Sequence, residues 1–454
     1  MLQYIQSSEI RRAIEEHDWR GLARVRHGWP DPDIVAPEIP DYLRDLEKSD
    51  RVLFYRALPR DLAVEVFAHL DSDQAETLLH ELTDAETRHI MAELEPDDRT
   101  ELLEELPGEV TRRLLNMLSP DDLREARRLL GYPEESVGRL MSPDYVAIRP
   151  DWTIVRAIDH IRRYGRESET LTVVYVTERS GKLVDALPLQ RIVIAAPEQT
   201  VEEIMDYTFV SLSAHEDREE AVRMMGKYDR LVLPVVDSTG ILLGIITIDD
   251  VMDIAEEEVT EDFQKQAAVT PLKRSYWEAN IWMLFRSRIG WLFGLVLVNL
   301  LSSGVIAAYE EVLAASVALA FFIPLIIDTG GNAGSQSAML MIRAISTGDV
   351  RPAEWLRVLG REILLGMGIG TVLGVVGMAL GTFRGGIQVG MVVLLTMVAI
   401  IAVTNLMGVV LPFILTKLRL DPAIASGPLI TSVADAVGLL IYFSFAILVL
   451  GAPA

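Results

Sequence analysis

The sequence predicts a multi-domain membrane protein in which an α-solenoid, a tandem α/β module and a connecting helix precede an all-α transmembrane domain of five helices. Three observations predict this fold class. Leucine recurs every twelve residues in the first third of the chain, two later segments share one strand-turn-strand-helix pattern, and five long apolar segments follow them.

The leucine repeat covers residues 58–130, and short turns interrupt it at regular intervals. Most repeats are followed by Pro, Asp, Ser or Gly, and polar side chains there can accept the free N–H groups of the next helix start. Helices of about nine residues are too short to bury an apolar face alone, so neighbouring helices must cover one another. We therefore expect a solenoid over residues 1–133, built on Leu58, Leu70, Leu82, Leu94, Leu106, Leu118 and Leu130.

Two segments of the central region follow one pattern. Residues 174–195 and 234–255 align when Gly181 is placed on Gly240, and each reads as a strand, a tight turn at glycine, a strand and a helix. The pattern predicts two α/β modules, over residues 134–198 and 199–255. An acidic, helical stretch then predicts a connecting helix over residues 256–284.

The five apolar segments are each long enough to span a bilayer, which takes roughly 20 residues. They cover about 289–308, 313–342, 363–383, 387–416 and 424–451, within a transmembrane domain of residues 285–454. Basic residues flank alternate ends, with Arg286 before the first span and Lys417 after the fourth. This distribution predicts a multi-pass protein of the cell inner membrane or plasma membrane, with its N-terminus in the cytoplasm and its C-terminus outside.

The negative charge of the chain lies entirely before the membrane domain. Residues 276–454 contain nine Lys/Arg and nine Asp/Glu, which leaves 33 basic and 57 acidic residues before them and places the formal charge of −24 there. Such a field attracts cations and repels nucleic acid, although acidity is also typical of an ordinary soluble surface. The chain has no cysteine, so thiolate metal sites are excluded and hard oxygen ligands are expected.

Polar residues interrupt two of the apolar segments, where a bilayer makes them costly. The second segment contains Asp328, Asn332, Ser335 and Gln336 among glycines, and the fifth contains Asp435, 14 residues after Asp421. The 14 residues from Asp421 to Asp435 correspond to roughly 21 Å of continuous helix, which puts Asp435 near mid-membrane.

These polar groups admit two interpretations. The glycines could simply pack helices together while the amides and hydroxyls bond across them. An ionised carboxylate at mid-membrane is harder to explain in this way, because no Lys or Arg lies deep in any span to pair with it. A hydrated cation is its natural partner.

The runs PLIIDTGGNAGSQ and DPAIASGPLITSVADAVGLLIYF, in the second and fifth spans, resemble the MgtE family of magnesium transporters and channels. The order of parts is similar too, with a helical N domain, two modules that resemble CBS domains, a connecting helix and five spans. The resemblance implies a homodimer with a pore between protomers, where Asp435 holds hydrated Mg²⁺ and Asp421 lies at the cytoplasmic mouth. The implied pore-lining residues are Asp328, Asn332, Gln336, Gly427 and Asp435; Gly427 stands where some members have Asn, so only its carbonyl could face the pore.

The resemblance also implies regulatory Mg²⁺ sites that join the N domain, the second CBS module and the connecting helix. Singly, each acid could be a surface residue or, as for Asp97, a helix cap. Together they would repel one another until Mg²⁺ draws the elements together and biases the protein toward a closed pore. The implied ligands are Glu65, Asp97, Glu101, Asp217, Gly226 through its carbonyl, Asp229, Asp250, Asp253, Glu258, Glu261 and Asp262.

A pair of CBS domains further implies ATP as a partner. The first module lacks the usual Gly-hydrophobic-hydrophobic-Thr run, which the second has at residues 244–247.

Three hypotheses about function follow. The first is passive Mg²⁺ influx through a channel that cytoplasmic Mg²⁺ closes. The second is a coupled exporter or importer of another divalent ion such as Co²⁺ or Mn²⁺, although the lack of Cys and of intramembrane His disfavours soft metals. The third is a membrane-anchored sensor without transport, against which the mid-membrane acid argues. We expect no enzyme activity, because the chain has no phosphate loop, nucleophile motif or metallohydrolase spacing.

Overall fold

The computed structural model describes residues 4–5, 7–25, 27–166, 168–272, 276, 279–351, 354–418, 420–425 and 427–451. The chain divides into two compact units, Met1–Glu257 and Glu258–Ala454. Each unit has its own hydrophobic core.

Short helices form the first part of the first unit, as the leucine repeat predicts. Leu58, Leu82, Leu94 and Leu106 each directly follow a helix in extended backbone and are buried. Leu46 does the same twelve residues before Leu58, so the repeat begins one unit earlier than predicted. The helices are Ser8–Glu15, Trp19–Leu22, Pro32–Val35, Ile39–Asp45, Lys48–Ala57, Arg60–Ala68, Ser72–Glu81, Asp84–Glu93, Pro96–Glu105, Gly108–Leu115 and Pro120–Leu129.

Side chains in the turns cap several of these helices. Asp71 and Ser119 accept hydrogen bonds from the main-chain N–H groups three residues later, at 2.8 and 3.2 Å. Asp97 does not act in this way, because Glu95 occupies the cap position and Pro96 is the first helical residue. Capping therefore does not explain Asp97.

The two α/β modules have the same sheet topology. In each three-stranded sheet the first strand pairs parallel with the second, and the second pairs antiparallel with the third. The strands are Ala147–Ile148, Val173–Thr177 and Leu183–Pro188 in the first module, and Leu212–Ser213, Val232–Val236 and Leu242–Thr247 in the second. The accompanying helices are Val137–Leu140, Ile154–Tyr164, Leu189–Ile194 and Arg218–Tyr228.

The glycine turns of the two modules contact each other. Gly181 and Gly240 both have positive φ, 86° and 84°, a region that glycine adopts at little cost. The N–H of Leu183 donates to the Gly240 carbonyl at 2.9 Å, and the N–H of Leu242 donates to the Gly181 carbonyl at 3.1 Å. The two modules thus make equivalent, reciprocal hydrogen bonds to each other, as expected for two copies related by an approximate two-fold axis. This agrees with their sequence alignment at these glycines.

A long helix, Ile248–Gln266, follows the last strand of the second module. The helix predicted over residues 256–284 therefore begins earlier and ends much sooner. Ala268 adopts φ 57°, which an L-residue cannot hold within a right-handed helix, and Pro271 follows it. The next described helix begins only at Ile281.

The second unit contains helices long and apolar enough to cross a membrane. They are Ile281–Ala308 (span 1), Ile323–Ser346 (span 2), Trp355–Lys417 and Gly427–Leu450 (span 5), with a short helix Glu310–Ala315 and a 3₁₀ turn Val317–Phe322 between the first two. The helix Trp355–Lys417 is broken at Gly386, whose φ of 85° and ψ of 173° are not helical. It therefore comprises span 3 (355–385) and span 4 (387–417).

Close contacts between glycines and the facing backbone establish that spans 3 and 4 are antiparallel. A Cβ atom on Gly366 would lie 2.9 Å from the Cα of Ala402, and one on Gly381 would lie 2.8 Å from the Cα of Gly390. Gly366, which comes first in span 3, faces the later residue Ala402 of span 4, whereas Gly381 faces the earlier residue Gly390. The chain therefore reverses direction at Gly386. The prediction of five membrane helices is confirmed.

Candidate functional site

One cavity of the membrane unit contains an unpaired carboxylate. Asp435 of span 5 lies on a cavity of about 570 Å³ between spans 1, 2 and 5. Its Oδ1 atom is buried and accepts no hydrogen bond from any residue that the structure describes. The lining residues are Leu292, Leu295, Val296, Asn299, Ser335, Met339, Gly427, Pro428, Thr431, Ser432 and Asp435. A carboxylate within a bilayer needs a cation, water or a donor beside it, so this cavity is a candidate cation site.

The predicted continuous helix between Asp421 and Asp435 is wrong. Asp421 is extended and caps the 3₁₀ turn Pro422–Ile424 by accepting a hydrogen bond from the N–H of Ala423 at 2.8 Å. The following proline keeps Asp421 out of the helical region, and span 5 begins only at Gly427. Asp435 therefore lies about 12 Å along span 5, not 21 Å along a longer helix.

Spans 2 and 5 approach closely beside this cavity. A Cβ atom on Gly331 would lie 2.7 Å from the Thr431 side chain. The Ser335 hydroxyl is 3.1 Å from both the Gly427 carbonyl, to which it donates, and the Thr431 hydroxyl. Ser335 thus bonds across the two helices, as the packing interpretation expected, and the Gly427 carbonyl at the cavity wall has a protein donor.

Three predicted pore residues lie outside the cavity within a single chain. Asp328, Asn332 and Gln336 do not line it and are exposed. Because they are four residues apart, they form one polar stripe along span 2. Asp328 is near enough to Asp435 for their charges to interact. Contact of this stripe with lipid would be energetically costly, because polar groups in hydrocarbon lose their hydrogen bonds to water.

The first unit brings acidic residues of its helical and α/β parts together. Carboxylate oxygens of Glu95, Asp97 and Glu169 lie within 4.8 Å of one another. Asp97 is buried, and its Oδ1 accepts a hydrogen bond from the neighbouring N–H of Asp98 at 3.2 Å. Asp250 adds a further negative charge to this group while it accepts a bond from Thr247 at 2.9 Å. We call Glu95, Asp97, Asp98, Glu169 and Asp250 the acidic cluster.

Burial, and then mutual repulsion, favours the protonated form of the carboxyl groups in the acidic cluster. Burial, together with the charges of Asp250 and Glu169, raises the pKa of Asp97 well above its usual value. Burial and neighbouring carboxylates raise the pKa of Asp98 and of Asp250 to about 7, and that of Glu169 to about 8. Glu95, Asp97 and Glu169 have oxygens within 4.8 Å of one another and form no ion pair with any described Lys, Arg or His, so a divalent ion would stabilise their ionised forms.

A second acidic group contains one predicted ligand. Oxygens of Glu101, Glu105 and Glu257 lie within 4.8 Å of one another. Glu257 also forms an ion pair with Arg218 at 2.8 Å, so this group is partly neutralised by the protein itself.

The other predicted ligands of the first unit lie outside these two groups of three carboxylates. Asp217 caps a helix by accepting from the N–H of Glu219 at 3.0 Å, and Asp229 ends that helix in a left-handed conformation, φ 49°. Gly226 faces open space. Glu65 is exposed but adds its charge to the field at Glu95, while Asp253 has a raised pKa from burial and from Glu256 and Asp249.

A lysine accompanies the predicted acids at the end of the helix Ile248–Gln266. Lys265 Nζ lies 2.6 Å from Asp421 Oδ2 and also contacts Glu261. Partial burial would lower the pKa of Lys265, but its hydrogen bonds to Asp421 and Glu261 outweigh burial and raise it. Burial and the charge of Asp421 raise the pKa of Asp262. Glu258 lies on the same helix and makes interactions of its own.

Several residues of these groups were not predicted. Glu95 and Asp98 flank Asp97, and Glu257 lies within the acidic stretch 256–258, so their proximity in sequence was an available signal. Glu169 is different, because it lies in a loop of the first module without any local pattern, and only the fold brings it to Asp97.

Comparison with known proteins gives the same order of parts. The model of the MgtE intracellular N domain matches residues 36–135, that of the CBS domain matches 137–198 and 201–257, and that of MgtE, described as a divalent cation transporter, matches 323–445.

Two curated relatives align over most of the chain. A magnesium transporter MgtE of Thermus thermophilus is 40% identical over 328 residues, which is 72% of this chain and 73% of the relative. Another, from Bacillus subtilis, is 34% identical over 319 residues, 70% of each. Among solved structures, the cytosolic domain of the Mg²⁺ channel MgtE in complex with ATP is 31% identical, with a TM-score of 0.49, over 56% of this chain and all of that one.

The fold and these matches define a membrane transporter with an intracellular helical domain and a CBS pair, and not an enzyme. The chain belongs to the MgtE family of divalent cation transporters.

Proposed function

We propose that the protein is a homodimeric magnesium channel of the cell membrane, which conducts Mg²⁺ passively into the cell and closes when cytoplasmic Mg²⁺ binds its acidic region. The observation that carries the proposal is the unpaired Asp435 carboxylate at a cavity between spans 1, 2 and 5. A hydrated divalent ion suits this site, because Mg²⁺ gives up its water ligands reluctantly. One carboxylate with nearby carbonyl and hydroxyl groups can bind the ion by accepting hydrogen bonds from those waters.

The choice of Mg²⁺ rests on ligand chemistry and on the relatives. All side chains at the cavity offer oxygen, amide or apolar groups, apart from the Met339 thioether, which favours a hard cation. The two relatives named above are magnesium transporters. The alternative is transport of another divalent cation, such as Co²⁺ or Mn²⁺.

A dimer would remove the polar stripe of span 2 from contact with lipid. Asp328, Asn332 and Gln336 are exposed in one chain, and a second copy or a water-filled pore on a two-fold axis would cover them. Each chain supplies one Asp435, so two chains would present two carboxylates to the ion. Crosslinking in native membranes should yield a dimer; a protein that remains monomeric there would contradict this part of the proposal.

Gating would use acidic residues of the first unit and of the helix Ile248–Gln266, two of which, Asp97 and Asp250, belong to the acidic cluster. Mg²⁺ can bridge carboxylates of different elements only when those elements lie close together. It therefore binds the compact arrangement more tightly than the open one and shifts the equilibrium toward the compact arrangement. We propose Glu65, Asp97, Glu101, Asp250, Asp253, Glu258, Glu261 and Asp262 as the residues through which Mg²⁺ acts, with Asp217, Gly226 and Asp229 as weaker candidates. The CBS pair is the proposed site for ATP.

Liposomes that contain the purified protein and a Mg²⁺-sensitive dye test the transport proposal. Without nucleotide, pH gradient or Na⁺ gradient, we expect Mg²⁺ to enter down its own gradient, and Co²⁺ or Mn²⁺ to enter more slowly. Liposomes without protein are the control. Uptake of Co²⁺ or Mn²⁺ with no uptake of Mg²⁺ would favour the alternative, and uptake that requires a second gradient would contradict passive flow.

A triple substitution tests gating. Asp250→Asn, Glu258→Gln and Asp262→Asn together should keep Mg²⁺ flowing at concentrations on the cytoplasmic side that close the parent. The matched control neutralises three exposed acids elsewhere, Asp61→Asn, Glu109→Gln and Glu198→Gln. If the triple variant closes at the same Mg²⁺ concentration as the parent and this control, the acidic region is not the gate.

A further inference from the structure

Span 1 contributes an amide to the wall of the Asp435 cavity. The residues of this helix that line the cavity are Leu292, Leu295, Val296 and Asn299. Steps of three and four residues place them on one face of the helix. Asn299 is the only carboxamide in the helix Ile281–Ala308, and a polar side chain at membrane depth is costly unless it has a partner. Asn299 is thus the one polar side chain on an otherwise apolar part of the wall.

No described residue is a hydrogen-bond partner of this amide. A bond to a neighbouring helix is the usual role of an amide within a membrane. Here only the main-chain oxygen of Asn299 accepts a hydrogen bond, from the Ser303 hydroxyl of the same helix at 3.5 Å. Asp435, which lines the same cavity, likewise has an Oδ1 atom without a donor among the described residues, so the Asn299 amide does not satisfy it. Helix packing within the chain therefore does not explain Asn299.

Several other polar groups of the cavity are engaged with one another. The Ser335 hydroxyl donates to the Gly427 carbonyl and lies 3.1 Å from the Thr431 hydroxyl. These groups join spans 2 and 5 and have less capacity for a ligand. The Asn299 amide on span 1 and the Asp435 carboxylate on span 5, by contrast, both remain available to one.

The size of the cavity indicates what such a ligand carries with it. Mg²⁺ binds six ligands in octahedral geometry and keeps most of its waters in proteins. Six waters at about 30 Å³ each occupy roughly 180 Å³, and the cavity has about 570 Å³. A fully hydrated ion therefore fits between spans 1 and 5, and the protein would contact the waters of the ion and not the metal itself.

We infer that Asn299 positions the hydrated cation in the Asp435 cavity and contributes to the preference for Mg²⁺, an inference that rests on the proposed pore. The amide oxygen of Asn299 accepts a hydrogen bond from one water of the ion, while Asp435 accepts from others. Mg²⁺ holds its waters in a rigid octahedron, whereas Ca²⁺ takes six to eight ligands in flexible geometry. Two acceptors on different spans therefore match the water shell of Mg²⁺ better than that of Ca²⁺.

Mg²⁺ uptake into liposomes by Asn299→Leu tests this inference. Leu is close to Asn in size and suits an apolar helix, so the melting temperature should stay near that of the parent. We expect the half-saturating Mg²⁺ concentration to rise about fivefold, the equivalent of about 1 kcal/mol for one lost hydrogen bond, while the maximal rate changes less. Ca²⁺ should compete better with Mg²⁺ than it does in the parent. Gln388→Leu, which removes an exposed amide outside the cavity, is the matched control.

A second variant keeps the test decisive if Asn299→Leu does not fold. Asn299→Asp keeps the acceptor oxygen and adds a charge, so it should lower the half-saturating Mg²⁺ concentration, because hydrogen bonds to an ionised acceptor are stronger. A purely structural role would not produce opposite shifts in the two variants. If Asp435→Asn loses uptake while both Asn299 variants match the parent, this inference alone is overturned. If Asp435→Asn conducts like the parent, the pore proposal fails and this inference with it.

Discussion

The ammonium group of Lys265 lies beside three acidic residues, Asp421, Glu261 and Asp262, to which a divalent ion could bind. It lies 2.6 Å from Asp421 and contacts Glu261, while Asp262 on the same helix has a raised pKa because of burial and Asp421. A tethered cation at this point neutralises the acids without any bound ion. Mg²⁺ that binds there must therefore compete with the lysine.

Lys265→Gln should destabilise the protein in EDTA by about 1 kcal/mol, the size of a partly exposed ion pair, and by less in saturating Mg²⁺. The physical reason is that Mg²⁺ can replace the lost charge beside Asp421, Glu261 and Asp262. Thermal unfolding in both buffers measures this difference. Lys227→Gln is the control, because Lys227 lies over the ring of Tyr228 and not in this group. Equal destabilisation in EDTA and Mg²⁺ would refute the competition.

Single residues were predictable from sequence only where a local rule applied. Asp435 was found because a carboxylate within an apolar segment is unusual, whatever its neighbours are. Its depth was wrong, because the helix was started at Asp421 and not after the turn at Pro422. The hydrogen bond between Glu362 of span 3 and Asn405 of span 4 was not predicted, because only the packing of the two spans brings these residues together.

At the level of elements, glycines determine how span 3 packs on span 4. A Cβ atom on Gly370 would lie 2.7 Å from the Cα of Val398, and similar contacts occur at Gly366 and Gly381. Gly368, two residues from Gly370, has nothing within 4 Å. The two glycines therefore differ in packing although they share one helix.

Gly370→Val should lower the free energy of unfolding by about 1–3 kcal/mol, because the larger side chain forces the two backbones apart. Gly368→Val should have little effect, since its side chain meets open space. Thermal unfolding of both purified variants in the same detergent measures the contrast. If both substitutions destabilise the protein equally, a general loss of helix flexibility and not backbone approach would be responsible.

Elements were predicted well where a periodic pattern extends over several turns. The twelve-residue leucine repeat and the paired glycine turns each indicate the observed elements, although the repeat starts one unit earlier, at Leu46. The connecting helix was predicted to extend too far, because the helical pattern of the sequence continues beyond Gln266. The positive φ of Ala268, two residues after the helix ends, is not indicated by the composition of the segment.

Across the whole molecule, the excess of acidic residues makes the stability of the first unit depend on pH. Asp98 and Asp250 have pKa values of about 7 in the folded protein, and Glu169 about 8, against about 4 in an unfolded chain. The folded state therefore binds these protons more tightly. The contribution of these three carboxyl groups to stability is fully present below about pH 4 and is lost as the pH rises from about 4 to about 8.

We expect the melting temperature in EDTA to fall across this pH range and Mg²⁺ to stabilise the protein progressively more. Mg²⁺ binds ionised carboxylates, so its apparent affinity should increase as the protons leave. Thermal unfolding of the full-length protein at several pH values, with EDTA or Mg²⁺, measures both trends. A Mg²⁺ effect that does not vary with pH would separate Mg²⁺ binding from the acidic cluster.

The order of domains and the location of negative charge were readable from the chain as a whole, because composition changes sharply near residue 276. The acidic cluster was only partly readable. Asp97 and Asp250 were predicted, but their junction with Glu169 requires the solenoid and the first module to meet, which is a property of tertiary structure.

The most direct test of the account is Mg²⁺ uptake into liposomes by the parent and by Asp435→Asn. The amide keeps the shape of the side chain and removes its charge, so we predict that uptake falls at least about tenfold, the equivalent of about 1.4 kcal/mol, while the melting temperature stays close to that of the parent. Glu310→Gln, at an exposed position in the loop between spans 1 and 2, should take up Mg²⁺ normally. Uptake by Asp435→Asn equal to that of the parent would show that Mg²⁺ does not pass by this carboxylate.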